Sequence, residues 1–244
     1  LADAPELAGR LASYPGVGFS ALVASANGAR RAIAAGLRSL EYVVSAADGH
    51  SRANVGRSSA EATEQIADIV AIAHDSGATV EVIIATSWDC PFDGPTDPAR
   101  VAGIVDTACL NGVDRIAIAD TIGTATPGRV TSLVNVVLPR IGARELGAHF
   151  HNTRGSGLAS AYAAVAAGVT RLDSSVGGRG GCPFAPGAGG NIATEDLTYL
   201  LRDSGVETGI DLAAAIDAAR VARDIVGHDL PSALLRAGDR MGKS

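Results

Sequence analysis

The feature that most constrains this chain is its rhythm. Short β-branched or apolar runs alternate with longer stretches of helical period, and most successive runs lie about 30 residues apart. That alternation calls for repeated strand–helix units around a parallel sheet, because a parallel strand is reached only through a crossover and a helix is the usual one. Strands are expected over 17–23, 39–44, 80–85, 115–119, 145–150 and 171–175, with helices between them such as 58–75, 97–111 and 127–141. Ser58 with Glu61 has the spacing of a capping box, and Thr126-Pro127 puts proline at a first helical position. Thr194 is placed to cap the helix that Glu195 and Asp196 open. Gly36, Gly77, Gly112 and Gly168 each stand where a left-handed stop would end a helix shortly before a strand.

This repeat length predicts a (β/α)8 barrel of the TIM type rather than a sandwich. Eight strands close such a barrel; six are visible, preceded by a helix over 5–13 that reads as the second of the series. The chain opens at Leu1 and its single methionine is Met241, so the first strand, first helix and second strand are expected upstream. Barrel and catalytic domain are expected over 1–205. A C-terminal extension over 206–244, with an amphipathic helix over 211–226, is expected to pack outside it.

Composition narrows the function. With 47% hydrophobic and 19% charged residues the chain has the makings of one sizeable core. A formal charge of −6 and a pI near 5.3 provide no basic surface, which argues against nucleic acid and for small molecules as partners. Cys90, Cys109 and Cys182 lie far apart with no paired spacing, the usage of a reducing, cytoplasmic compartment. No apolar run approaches the roughly 20 residues of a membrane span, so no membrane association is expected.

Three stretches carry chemistry. In "ELGAHFHNT" alternate strand residues share a face, so His149 and His151 project together at a carboxyl end, where barrel enzymes place their sites. The pair suits a divalent cation, a reading favoured over packing or capping histidines. In "RIAIADTIGTATPGR" Asp120 ends a strand as a general base, a partner for a histidine, or an N-terminal helix cap. In "SSVGGRGGCPFAPGAGGN" Cys182 sits among glycines and prolines with little core to pack into, which favours a reactive thiol on a mobile lid, and Asn191 at the far end can return its amide oxygen to a metal.

Together, "GGRGGCPFAPGAGGNIATEDL", "GAHFHNTRGSGLA", "ADTIGTATPG" and "WDCPFDG" resemble 3-hydroxy-3-methylglutaryl-CoA (HMG-CoA) lyase, among the metal-dependent TIM-barrel lyases and synthases. The resemblance runs from "LADAPELAGRLASYPG" onward, and the glycine-rich cysteine loop is specific to the lyase branch. It implies His149, His151 and Asn191 as ligands of Mg²⁺ or Mn²⁺, Cys182 as the catalytic loop thiol, Asp120 as a catalytic carboxylate and Glu195 as a supporting acid. It also implies an acyl-CoA substrate, a homodimer, and cleavage of a 3-hydroxy-3-alkylglutaryl-CoA to acetyl-CoA and a 3-keto acid. A Claisen-type synthase, a pyruvate-dependent aldolase and an inactive metal-binding barrel subunit are the alternatives. Two departures stand out: Asn152 replaces the more usual aspartate after the second histidine, and Ala117 stands where a small hydroxyl residue is expected. The family's Arg-Asp-Gly strand motif, source of an arginine and an aspartate ligand, does not occur in the chain as given.

Overall fold

The structure is a computed structural model that describes residues 3–11, 13–181 and 190–240. The chain divides into two compact units, Leu1–Ala119 with Val136–Leu146 and Asp120–Asn135 with Gly147–Ser244.

The first unit runs α1 (Ala4–Leu11), β1 (Ala21–Val23), α2 (Ala26–Ala34), β2 (Ser39–Ser45), α3 (Asp48–Val55), α4 (Ser59–Asp75), β3 (Thr79–Ala85), β4 (Asp89–Cys90), β5 (Gly94–Pro95), α5 (Pro98–Leu110) and β6 (Arg115–Asp120), whose last residue belongs to the second unit. Strands β1, β2, β3 and β6 are parallel neighbours in that order, and β2 pairs with β3 from Ser39↔Thr79 to Ser45↔Ala85. Leu40 and Val44 of β2, Val80, Val82 and Ile84 of β3, and Ile116 and Ile118 of β6 are fully buried. Each such side chain contributes about 1.5–3 kcal/mol relative to exposure. β6 is buried without a break from Ile116 to Asp120, the run of a strand covered on both faces. The α4 helix lays Ile66, Ile69, Val70 and Ala73 into the core. Its capping box is present, with Ser58 accepting from the Glu61 amide and Glu61 accepting from the Ser58 amide.

The second unit holds α6 (Pro127–Val137, its last turn belonging to the first unit), β7 (Leu146–Phe150), α7 (Gly157–Ala166), β8 (Arg171–Leu172), α8 (Thr194–Asp203), α9 (Leu212–Val226) and α10 (Ala233–Ala237). Strands β7 and β8 are parallel, with Gly147↔Arg171 and Ala148↔Leu172 in register.

All six expected strands form, and Gly36, Gly77, Gly112 and Gly168 all lie at positive φ. The differences have local causes. The β8 strand stops at Leu172 rather than Ser175, because Ser175 pairs instead with Ala193. The helix expected over 127–141 ends as α at Val137 and tightens into a 3₁₀ turn, Leu138–Arg140, where Pro139 has no amide hydrogen to donate. Thr194 does not cap α8: the cap position falls on Ala193, no side chain fills it, and the Thr194 hydroxyl shares a hydrogen bond with Ser174 at 2.9 Å. The antiparallel pair β4–β5 was not anticipated.

The adjacent acids at the start of α8 do separate jobs. Glu195 accepts the Gly177 amide at 3.1 Å. Asp196, buried, accepts the Ser232 hydroxyl and the Ala233 and Leu234 amides at 2.8–3.0 Å, which ties the start of α10 to α8. The chain just before α10 then packs on the glycines after β8: a Cβ added at Gly177 would stand 2.3 Å from Leu230 Cδ1 and at positive φ.

Two predictions follow from this packing. Asp196→Ala leaves two amides and a buried hydroxyl without an acceptor, and urea unfolding should show a loss of about 2 kcal/mol or more; an unchanged midpoint would show that the tie carries no stability. His50, buried and 2.6 Å from Ser45 Oγ through Nδ1, is held by burial below its ordinary value of 6.5. The unfolded chain therefore takes up a proton that the folded chain resists, so this contribution is present above about pH 6.5 and is lost as the pH falls below it. The melting temperature should drop between pH 7 and pH 5, with a shallower drop in His50→Gln; equal slopes would rule His50 out.

Candidate active site

The site is built where β7 ends. Its pleat turns His149 and His151 to one side, and their rings stand 5.0 Å apart, centre to centre, at 70°. Residues 190–194 are stitched onto that end by backbone bonds: Asn152 donates to Gly190 at 2.9 Å, Ile192 to Phe150 at 3.2 Å, Ser175 to Ile192 at 3.1 Å and Thr194 to Ser175 at 3.0 Å. His151 and Asn191 thereby face each other as a bridge pair. Gly157 permits the approach of α7, since a Cβ there would meet Ile192 Cγ2 at 2.6 Å and the His151 carbonyl at 2.9 Å.

The Asn191 amide is oriented by its own hydrogen bond. Its Nδ2 donates to the Arg179 carbonyl at 2.9 Å, and its Oδ1 is buried with no partner among the described residues. The Nδ1 of His151 is buried and unpartnered in the same way. Burial first, and then the neighbouring His149, push the pKa of His151 down to about 4, against the opposing pull of Asp173, so its imidazole is neutral at pH 7. A buried polar atom with nothing to bind is costly, and these two, at one strand end, are atoms that a bound cation would satisfy. Among the described residues no three His, Cys, Asp or Glu side chains gather into a metal site; the set here is two imidazoles and an amide oxygen. Neutral nitrogen and oxygen donors suit a divalent cation of the octahedral kind, so the residues present fit the metal that the sequence implies.

The other sequence candidates are placed less closely. Asp120, buried at the end of β6, accepts the Thr124 amide at 3.0 Å and the Ala125 amide at 2.8 Å, so it caps the loop ahead of α6 rather than the first turn of that helix. Glu195 is fully buried, with Oε2 on the Gly177 amide and Oε1 unpartnered among the described residues. It sits four residues after Asn191 and holds the start of the glycine-rich stretch, not the histidines. Cys182 lies outside the described residues. Asn152, in the place of the usual aspartate, accepts the Gly157 amide at 3.0 Å and so opens α7.

Two participants were missed in the sequence. Asp173 accepts from His149 Nδ1 at 2.5 Å, and the β7–β8 register is the signal that points to it: one step past Ala148↔Leu172 brings these two side by side. The segment before α10 is the other. Pro231 lines a cavity of about 300 Å³ together with Asn191, Asn152, Gly178 and Gly190, and no local pattern in the sequence announces that contact.

Known proteins resemble this chain along most of its length. The HMGL-like family matches residues 19–222. The (R)-citramalyl-CoA lyase of Chloroflexus aurantiacus is 42% identical over 220 residues, 90% of this chain and 69% of that protein. A hydroxymethylglutaryl-CoA lyase of Bacillus subtilis is 32% identical over 95% of this chain and 78% of that protein. Among solved structures, an HMG-CoA lyase of Acinetobacter baumannii in complex with coenzyme A and 3-methylmalate superposes with a TM-score of 0.94 at 36% identity, covering 99% of this chain and 79% of that one. Among the described residues no helix is long and apolar enough to cross a membrane. With its α/β fold matching the barrel of those lyases, the chain belongs to the HMGL-like family and is a CoA-thioester lyase of the HMG-CoA lyase type.

Proposed function

We propose that this enzyme cleaves HMG-CoA to acetyl-CoA and acetoacetate by a retro-Claisen reaction, with His149, His151 and Asn191 holding Mg²⁺ or Mn²⁺. The observation that carries the reading is the pair of buried, unpartnered donors, His151 Nδ1 and Asn191 Oδ1, on backbones bridged to each other beside His149. Bound there, the cation supplies Lewis acidity that lowers the pKa of the substrate's tertiary hydroxyl. Asp120 takes the hydroxyl proton. The O–H electron pair becomes the new carbonyl bond of the keto acid, the bond from the carbinol carbon to the CH₂ beside the thioester breaks, and its electron pair passes to the acetyl-CoA enolate. Cys182, in the glycine-rich loop of the sequence, delivers the proton that turns this enolate into acetyl-CoA, the general-acid role proposed for its thiol. Glu195 supports that loop by holding the Gly177 amide five residues before the thiol.

A second substrate has a specific observation behind it, the 42% identity to a citramalyl-CoA lyase. Citramalyl-CoA carries the same C(OH)(CH₃)–CH₂–CO–S unit and would break at the same bond, yielding pyruvate in place of acetoacetate. The two substrates differ by one methylene between carbinol and carboxylate, a difference worth about 1–3 kcal/mol to a binding pocket.

In His151→Ala and Asn191→Ala, elemental analysis after dialysis should show less bound divalent metal, with turnover lost in step; full metal content in both would remove these ligands from the proposal. Cys182→Ala should keep metal content and melting temperature while losing turnover by about a hundredfold or more; near-normal turnover would refute the thiol's role.

Following acetyl-CoA release from both acyl-CoA thioesters should give a kcat/KM preference for HMG-CoA of about 10- to 200-fold. The reverse preference would replace acetoacetate by pyruvate as the product.

A further inference from the structure

We propose that Asp173 is a positioning residue that fixes the tautomer and ring orientation of His149, so that Nε2 is the nitrogen offered to the cation. The inference rests on His149 being a ligand, as proposed above, and adds a residue on the neighbouring strand that makes it a good one.

The register of β7 against β8 pairs Gly147 with Arg171 and Ala148 with Leu172, and just past the end of that ladder His149 and Asp173 are joined side chain to side chain. There Nδ1 and Oδ1 lie 2.5 Å apart, at the short end for a charge-assisted hydrogen bond. An ionised carboxylate only accepts, so the proton of this bond belongs to Nδ1, and a neutral imidazole protonated at Nδ1 carries its lone pair on Nε2. His151 differs, since its Nδ1 is buried with no partner among the described residues. One imidazole of the pair therefore has its tautomer set by the protein.

Stability does not account for the contact. The Asp173 side chain is 57% exposed and that of His149 25%, and ion pairs in such settings contribute between nothing and about 1 kcal/mol. Asp173 would be well hydrated without its partner, so what the pair yields is direction: it holds the ring and keeps Nδ1 from competing for the metal. Carboxylate–imidazole pairs of this kind also make the ligating nitrogen more basic, and losing the outer partner weakens metal binding by about 10- to 100-fold.

The test reads tautomer and affinity separately on the full chain. In wild-type protein stripped of metal, ¹⁵N–¹H NMR should show His149 protonated at Nδ1. Asp173→Ala should convert it to a mixture of tautomers and weaken Mn²⁺ binding, titrated alone by calorimetry, by about 10- to 100-fold. Asp173→Glu should restore both readouts in part, and Asp173→Asn provides a near-isosteric variant should the alanine protein fold poorly. An unchanged tautomer in Asp173→Ala and Asp173→Asn overturns the proposal, as does a shifted tautomer with wild-type Mn²⁺ affinity. His149→Ala with undiminished affinity would instead remove His149 as a ligand, while the tautomer measurement on wild type would still report the Asp173 contact.

Discussion

Four backbone hydrogen bonds hold the site together. They run from residues 190–194 to Phe150, Asn152 and Ser175, and they make the end of β7 more than the last rung of a ladder. Without them the two imidazoles would stand alone at a strand end, and Asn191 would be one more polar residue after a glycine-rich stretch. With them, Asn191 is placed opposite His151, and its amide is turned by the Arg179 carbonyl so that the oxygen, not the nitrogen, is left over. A main-chain constraint thereby fixes which side-chain atom meets a ligand.

Burial then decides the chemistry of those atoms. The charged form of an imidazole loses most on leaving water, which is why the buried His151 stays neutral far below pH 7 and offers a lone pair. Its neighbour His149 remains partly exposed and depends on a carboxylate for its proton placement. The same strand presents two copies of one residue type and the surroundings give them different jobs.

The acids at the start of α8 show a similar division. Glu195 reaches back to the glycines that follow β8, while Asp196 reaches across to the start of α10, and Leu230 with Pro231 then rests on Gly177 and Gly178. Both ends of the glycine-rich stretch are thus braced by packed parts of the chain: the first through Glu195 and Leu230, the second through the bonds of Gly190 and Ile192. Small residues at these points are a steric requirement, since Leu230 occupies the place a side chain at Gly177 would take.

The sequence by itself determined the order of elements, the helix stops and the pairing of His149 with His151, because periods of two and 3.6 residues and the φ range open to glycine are properties of the local chain. It also carried Asn191 and Glu195, through the motif that holds them. Tertiary structure alone decided the rest. That the Thr124 and Ala125 amides converge on the Asp120 carboxylate is seen only in the fold. Thr194 has the chemistry of a cap, yet the bridge between Ser175 and Ala193 moves the helix start and leaves its hydroxyl to Ser174. Asp173 and Leu230 lie 24 and 53 residues from the partners they touch, His149 and Gly177. Contacts over such separations follow from strand register and helix packing, which no local pattern encodes.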